Sequence, residues 1–112
     1  MIVFTREDNR AIIQPAGEDV VAASVPELRT TMRTALDQGV RDLVMDLSHV
    51  HMVDSSGIGL LISAHNSLTQ LGGKLSVVHA SRDILDLFHM MRIHQHFSVS
   101  GESAEDDDGS RP

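Results

Sequence analysis

Short hydrophobic runs alternate with helix-periodic segments along most of this chain, and that alternation is the strongest constraint on its fold. Leu43-Val44-Met45-Asp46-Leu47 and Lys74-Leu75-Ser76-Val77-Val78-His79 read as strands. Around them, Leu28, Met32, Ala35 and Leu36 fall on one helical face, Ile58 to Leu68 form an apolar helical run, and Ile84, Leu87, Phe88 and Met91 recur at i, i+3, i+4 and i+7. The boundaries are signposted. Ser24 to Glu27 has capping-box spacing with Pro26 in the first turn, Ser81 precedes Asp83 at a second helix start, and Gly39 and Gly72-Gly73 supply helix stops. Ile2–Arg6 and Ala11–Gln14 flank the polar turn Glu7-Asp8-Asn9-Arg10, a hairpin pattern, and Phe97-Ser98-Val99 reads as a short closing edge strand. The order is β-β-α-β-α-β-α-β. It predicts an α/β fold: one small domain over residues 1–100, with a mixed sheet of four to five strands, parallel crossovers and three helices. Apolar residues pointing both ways in the Arg41–Leu47 run predict a central strand covered on both faces.

Composition narrows the function. At 112 residues with 41% hydrophobic content, the chain can build one modest core. With three Phe and no Tyr or Trp, that core is aliphatic, filled out by six Met, and Met91 of the Met90-Met91 pair is assigned to it. The absence of Cys excludes disulfides, thiolate metal sites and Cys nucleophiles. No apolar run approaches the ~20 residues of a membrane span, and Met1–Arg6 lacks the pattern of a signal peptide, so the expectation is a cytoplasmic protein. The net charge of -7 is partly a tail effect: Glu102 to Pro112 holds five acids and one Arg. Residues 101–112 are therefore expected to be a disordered, solvated acidic tail. The remainder is only mildly acidic and contains the single Lys, Lys74, which argues against nucleic-acid binding. Neither a cofactor nor a metal is expected, and the chain is taken as a monomer.

One motif stands out from this framework: Asp54-Ser55-Ser56-Gly57, between the Leu43–Leu47 strand and the Ile58–Leu68 helix. A Ser at a helix start can cap it, with the hydroxyl held at the surface, and a phosphate there would meet the positive end of the helix dipole. Ser56 is assigned to capping or to shaping the turn. Leu60 and Ala64 lie on a stripe beside the core-facing residues. An exposed Leu60 would be a contact beside the serines, and a buried one would be ordinary core. Hydrolase chemistry is disfavoured because no G-x-S-x-G elbow surrounds Ser55, and no phosphate-binding Walker loop occurs. His49 with His51, and His94 with His96, lack a spaced third ligand and read as surface residues; His65 and His89 read as partly buried helix residues.

Four features taken together resemble the STAS domain, and specifically the bacterial anti-sigma factor antagonists, over residues 2–100. They are the hydrophobic strand ending in Asp-Leu, the Val53-Asp54-Ser55-Ser56-Gly57-Ile58-Gly59 turn, the Gly72-Gly73 stop and the Leu87-Phe88 helix. The resemblance implies a partner-switching protein without catalytic machinery of its own. In such a cycle the unphosphorylated antagonist binds an anti-sigma factor that is also an ATP-using serine kinase, and so frees a sigma factor. The kinase phosphorylates the first Ser after the Asp, here Ser55, and a PP2C-type phosphatase resets the switch. The implied partner-binding residues are Asp54, Ser55, Ser56, Gly57, Leu60 and Asp19. One departure concerns the Gly-x-Leu-Asp segment that precedes the first helix in the family. The region here reads Gly17-Glu18-Asp19-Val20-Val21-Ala22-Ala23, so Gly17 matches, and Asp19 is the displaced candidate for the Asp. Other readings remain: a subunit of a stressosome-like scaffold, the cytoplasmic partner of a lipid ABC transporter, a regulator of a non-sigma output, or a small ligand- or nucleotide-binding domain, for which the sequence offers no site.

Overall fold

The computed structural model describes residues 2–15 and 19–101. Its elements are strands β1 (Ile2–Glu7) and β2 (Arg10–Pro15), helix α1 (Val25–Asp37), β3 (Asp42–Asp46), α2 (Ser55–Gln70), β4 (Lys74–Ala80), α3 (Arg82–Met90), a 3-10 turn at Ile93–Gln95, and β5 (Ser98–Gly101). The expected order is present throughout, and the strands form one five-stranded mixed sheet. The acidic tail and Gly17, both singled out in the sequence, lie outside the described residues. Among the described residues no helix is long and apolar enough to cross a membrane.

Spatial order equals chain order, β1-β2-β3-β4-β5. The hairpin pairs β1 with β2 antiparallel, and every later neighbour is parallel, with Ile13 opposite Met45 and Met45 opposite Val77. Each right-handed crossover therefore steps the same way along the sheet, which puts all three helices on one face. Ala11, Ile13, Leu43, Met45, Leu75 and Val77 point into that layer and are buried there with residues such as Leu28, Leu61 and Phe88. This corrects the expectation that β3 is covered on both sides. Val44 is only 4% exposed but lies outside the helix-side core, and with Ile12 and Val78 it lines a cleft on the face that carries no helix among the described residues. Its neighbours in the sheet shelter it, rather than a second helical layer.

The helix boundaries follow from local chemistry. Gly39 and Gly72 take φ of +97° and +79° just past the ends of α1 and α2, a backbone conformation that costs glycine little. Gly73 is held for a different reason: a Cβ there would run into the Arg41 backbone. Ser81 caps α3, its hydroxyl accepting from the Ile84 N–H at 3.3 Å. Ser24 does not complete a capping box. Its hydroxyl accepts from the Val21 N–H at 3.0 Å and donates to the Asp19 carbonyl at 2.7 Å, so it stitches the turn before α1 and leaves the helix uncapped. Met91 is also corrected. It is 50% exposed, and Met90 78%, because α3 ends at Met90 and Arg92 then turns the chain through a left-handed φ of +59° before position i+7 can reach the core.

Candidate functional site

The Asp54–Gly57 turn lies where β3 has ended and α2 begins, at the edge defined by the C-terminal ends of the parallel strands. Each of its four residues has a distinct task. Asp54 is the N-cap of α2: one carboxylate oxygen accepts from the Gly57 N–H at 3.0 Å, and the other accepts from the Ala22 N–H at 3.3 Å. The cap therefore also ties the turn before α1 to the start of α2. Gly57 is buried, and a Cβ on it would strike the Val20 carbonyl and come within 2.9 Å of the Val20 and Val53 side chains. Only Ser55 and Ser56 are exposed. Neither hydroxyl is hydrogen-bonded among the described residues, so the capping task given to Ser56 belongs to Asp54.

A short bridge beneath the helix start explains why glycine is needed. Val20 pairs with Val53 in parallel fashion, with the Val20 N–H donating to the Met52 carbonyl at 2.9 Å and the Asp54 N–H donating to the Val20 carbonyl at 3.2 Å. Asp19 secures the same junction from one residue earlier. Its carboxylate accepts from the His51 and Met52 N–H groups at 3.2 and 3.1 Å. Asp19, Asp54 and the two serines are thus brought to one surface, and both carboxylates are engaged in shaping it. The N–H groups of Ser55 and Ser56 have no acceptor among the described residues, as expected for the first turn of a helix.

Leu60 does not join that surface. It is 2% exposed, packed in the helix-side core, and Ala64 one turn on is buried too, whereas Ile62 is the residue left partly exposed. The reason is the neighbouring helix: α1 packs alongside α2, so the stripe that would face solvent on a lone helix faces another helix here.

Sequence reading missed a second polar cluster on the opposite sheet face. The Asp46 carboxylate accepts from the Ser48 N–H at 3.0 Å and from the Ser48 hydroxyl, lies 3.1 Å from His79 Nδ1, and is approached by Gln14 Nε2. Burial alone would raise the Asp46 carboxyl, but the Ser48 bonds and His79 outweigh it and hold the group below the ordinary carboxylate range. The one signal available in sequence was an acid interrupting an apolar strand. The histidines elsewhere are dispersed: His49, His51, His94 and His96 are exposed, as is His89, which lies 4.4 Å from His94 ring to ring. His65 is half-buried against Phe97, at 5.8 Å.

A five-stranded sheet with its helices on one side and a serine pair at a helix start, framed by two structural aspartates, defines a two-layer α/β domain of STAS type. The STAS domain family model matches residues 2–105, and the chain belongs to that family. A Staphylococcus aureus relative named anti-sigma-B factor antagonist is 31% identical over 90 residues, covering 80% of this chain and 82% of its own. Among solved structures, a Thermotoga maritima protein superposes with a TM-score of 0.83 at 15% identity, covering 99% of this chain and 95% of that one. The Bacillus cell fate determinant SpoIIAA in its phosphorylated form gives 0.71 at 18% identity, covering 99% of this chain and all of that one.

Proposed function

We propose that this chain is an anti-sigma factor antagonist: unphosphorylated, it binds an anti-sigma factor serine kinase and frees a sigma factor, and phosphorylation of Ser55 ends that binding. It acts as ligand and substrate, not as an enzyme, and a PP2C-type phosphatase restores it. The observation that carries the reading is the division of labour in the turn. Asp54 and Gly57 are committed to cap and packing, which leaves the Ser55 hydroxyl exposed at the head of α2. Family membership and the name of the S. aureus relative support the same reading.

The electrostatics suit a switch that alters the surface and spares the fold. A phosphate brings about -1.5 to -2 charges at pH 7. The helix dipole favours an anion there by roughly 0.3–1 kcal/mol, while the adjacent Asp54 carboxylate opposes it by like-charge repulsion. The N–H groups of Ser55 and Ser56, which have no acceptor among the described residues, can donate to phosphate oxygens. In a complex the same phosphate would be desolvated at the interface, and a drop from nanomolar to micromolar affinity requires only about 4 kcal/mol. The partner surface is assigned to Ser55, Ser56 and the 19–24 turn, with Asp19, Asp54 and Gly57 holding its shape.

The test uses each serine-kinase anti-sigma factor of the host with ATP. Expected is one phosphate on Ser55, none on the Ser55→Ala variant, and loss of binding of about a thousandfold for Ser55→Asp. Phosphate on Ser56 alone, or a Ser55→Asp variant that binds as tightly as wild type, would refute the assignment.

A further inference from the structure

The clearest unassigned cavity lies between α1 and α2, on the helix side and away from Ser55. It has a volume of about 420 Å³, within the ~300–1,000 Å³ usual for small-molecule sites. Its lining is apolar at Leu36, Leu60 and Leu71, and three arginines, Arg29, Arg33 and Arg41, surround it. In a chain of net charge -7 this is a local excess of positive charge, with Asp37 the one acid in the lining among the described residues.

Some cations elsewhere have partners, but Lys74 and Arg92, like Arg29 and Arg33, have none among the described residues, so what marks the arginines is their grouping beside the cleft. Arg10 pairs with Asp42, Arg82 with Asp86, and Arg6 is spent on the Gln38 and Asp8 carbonyls. Arg29 and Arg33 sit one turn apart on α1, and among the described residues neither has a carboxylate or carbonyl partner. Arg41 is anchored through one nitrogen to the Leu36 and Val40 carbonyls at 3.1 and 2.8 Å. By contrast, the cleft on the opposite sheet face is lined by Arg10, Asp46 and His79, whose polar side-chain groups already contact one another or Asp42. Arg29 and Arg33 are exposed and one turn apart, with Asp37 one turn beyond Arg33, and an anion that also filled the apolar cleft would find two cations at its mouth.

We infer that the α1–α2 cleft binds a small free amphiphile, an aliphatic chain ending in one carboxylate, with the chain against Leu36, Leu60 and Leu71 and the anion at Arg29 and Arg33. The cleft continues toward a more open depression lined by Ala22, Pro26 and Ser56, with Arg29 and Leu60 common to both. An occupant would therefore lie against the same helix pair that carries the serine turn.

The test needs no partner protein, so its outcome is separate from that of the Ser55 assignment. Decanoate is titrated below its micelle threshold into the isotope-labelled full chain, with decanol and acetate as comparison ligands, and binding is read by amide shifts and calorimetry. Expected are saturable shifts along α1 and α2 for decanoate, with decanol and acetate each weaker by at least about tenfold. The exposed double variant Arg29→Gln/Arg33→Gln brings decanoate down to the level of decanol, and Ser63→Phe, which fills the cleft from its α2 wall, abolishes both. Equal binding of decanoate and decanol, shifts confined to the Ile12–Val44–Val78 face, or capture only by anionic lipid vesicles would overturn the inference.

Discussion

Asp54 accepts from the Gly57 N–H at 3.0 Å with one carboxylate oxygen and from the Ala22 N–H at 3.3 Å with the other. A single side chain thus begins a helix and fixes a loop that precedes it by more than thirty residues. Removing it with Asp54→Ala is expected to cost about 1 kcal/mol, within the 0.5–2 kcal/mol range of cap losses. Urea unfolding measures this. Asp54→Asn retains one acceptor, enough for the Gly57 N–H, and is expected to recover the cap's share of the loss but not the tie to Ala22. Faster amide exchange at Ala22 in both variants, with Gly57 still protected in the Asn variant, would identify the loop tie, because the Asn Nδ2 can only donate and cannot accept from the Ala22 N–H.

The two glycines at the head of α2 are expected to respond with opposite signs. Gly57→Ala forces a methyl against the Val20 backbone and the Val20 and Val53 side chains, and should destabilise by roughly 1–3 kcal/mol, as overpacking does. A Cβ at Gly59 meets nothing within 4 Å, so Gly59→Ala should stabilise by up to about 1 kcal/mol through helix propensity. Thermal melts of the pair check the contrast directly.

Burial, not hydrophobicity alone, separates Leu60 from Met91. Leu60→Ala is expected to cost about 2–5 kcal/mol, the range for emptying a core site. Met91→Ser, at a position 50% exposed, is expected to change stability by no more than about 0.5 kcal/mol. Denaturant midpoints at constant slope give both values. A neutral Leu60→Ala would return Leu60 to the surface.

Asp46 gives a pH dependence of definite sign. Its folded carboxyl sits below the ordinary range, so it stabilises the fold above the unfolded value of about 3.9, and that contribution is lost as pH falls through the folded value. Asp46→Asn should therefore be less stable than wild type at neutral pH, and the gap should close below about pH 4. A gap that persists unchanged down to pH 2 would exclude the ionised carboxylate as its source.

Most of the architecture was legible because it is written in local chemistry. Period-two and period-3.6 patterns, with Ser81, Gly39 and Gly72 at the boundaries, identify the elements without reference to distant residues. The turn was legible too, since Asp-Ser-Ser-Gly between a strand and a helix is compact. What escaped depends on packing across the chain. Ile58, Leu60, Leu61, Ile62 and Ala64 are apolar nearly all round α2, so only the position of α1 decides that Leu60 is covered and Ile62 partly open. The same holds for Val44, whose second face is decided by the one-way order of the strands, and for Asp46 with His79, partners from separate strands 33 residues apart. Met91 failed for a local reason: periodicity carries no information about where a helix ends.

The strand register has a practical consequence. Ile2 lies opposite Pro15 at the end of β2, and Gly101 lies opposite Ala80 at the end of β4, so the chain enters the sheet and leaves it at the edge where α2 starts. β1 and β5 are also the two outermost strands. A label carried at Ile2 or at Gly101 therefore sits on the flank of the serine turn, one on each side. Labels for measuring partner capture belong at the far edge, in the Asp8-Asn9 hairpin turn, where they leave that approach clear.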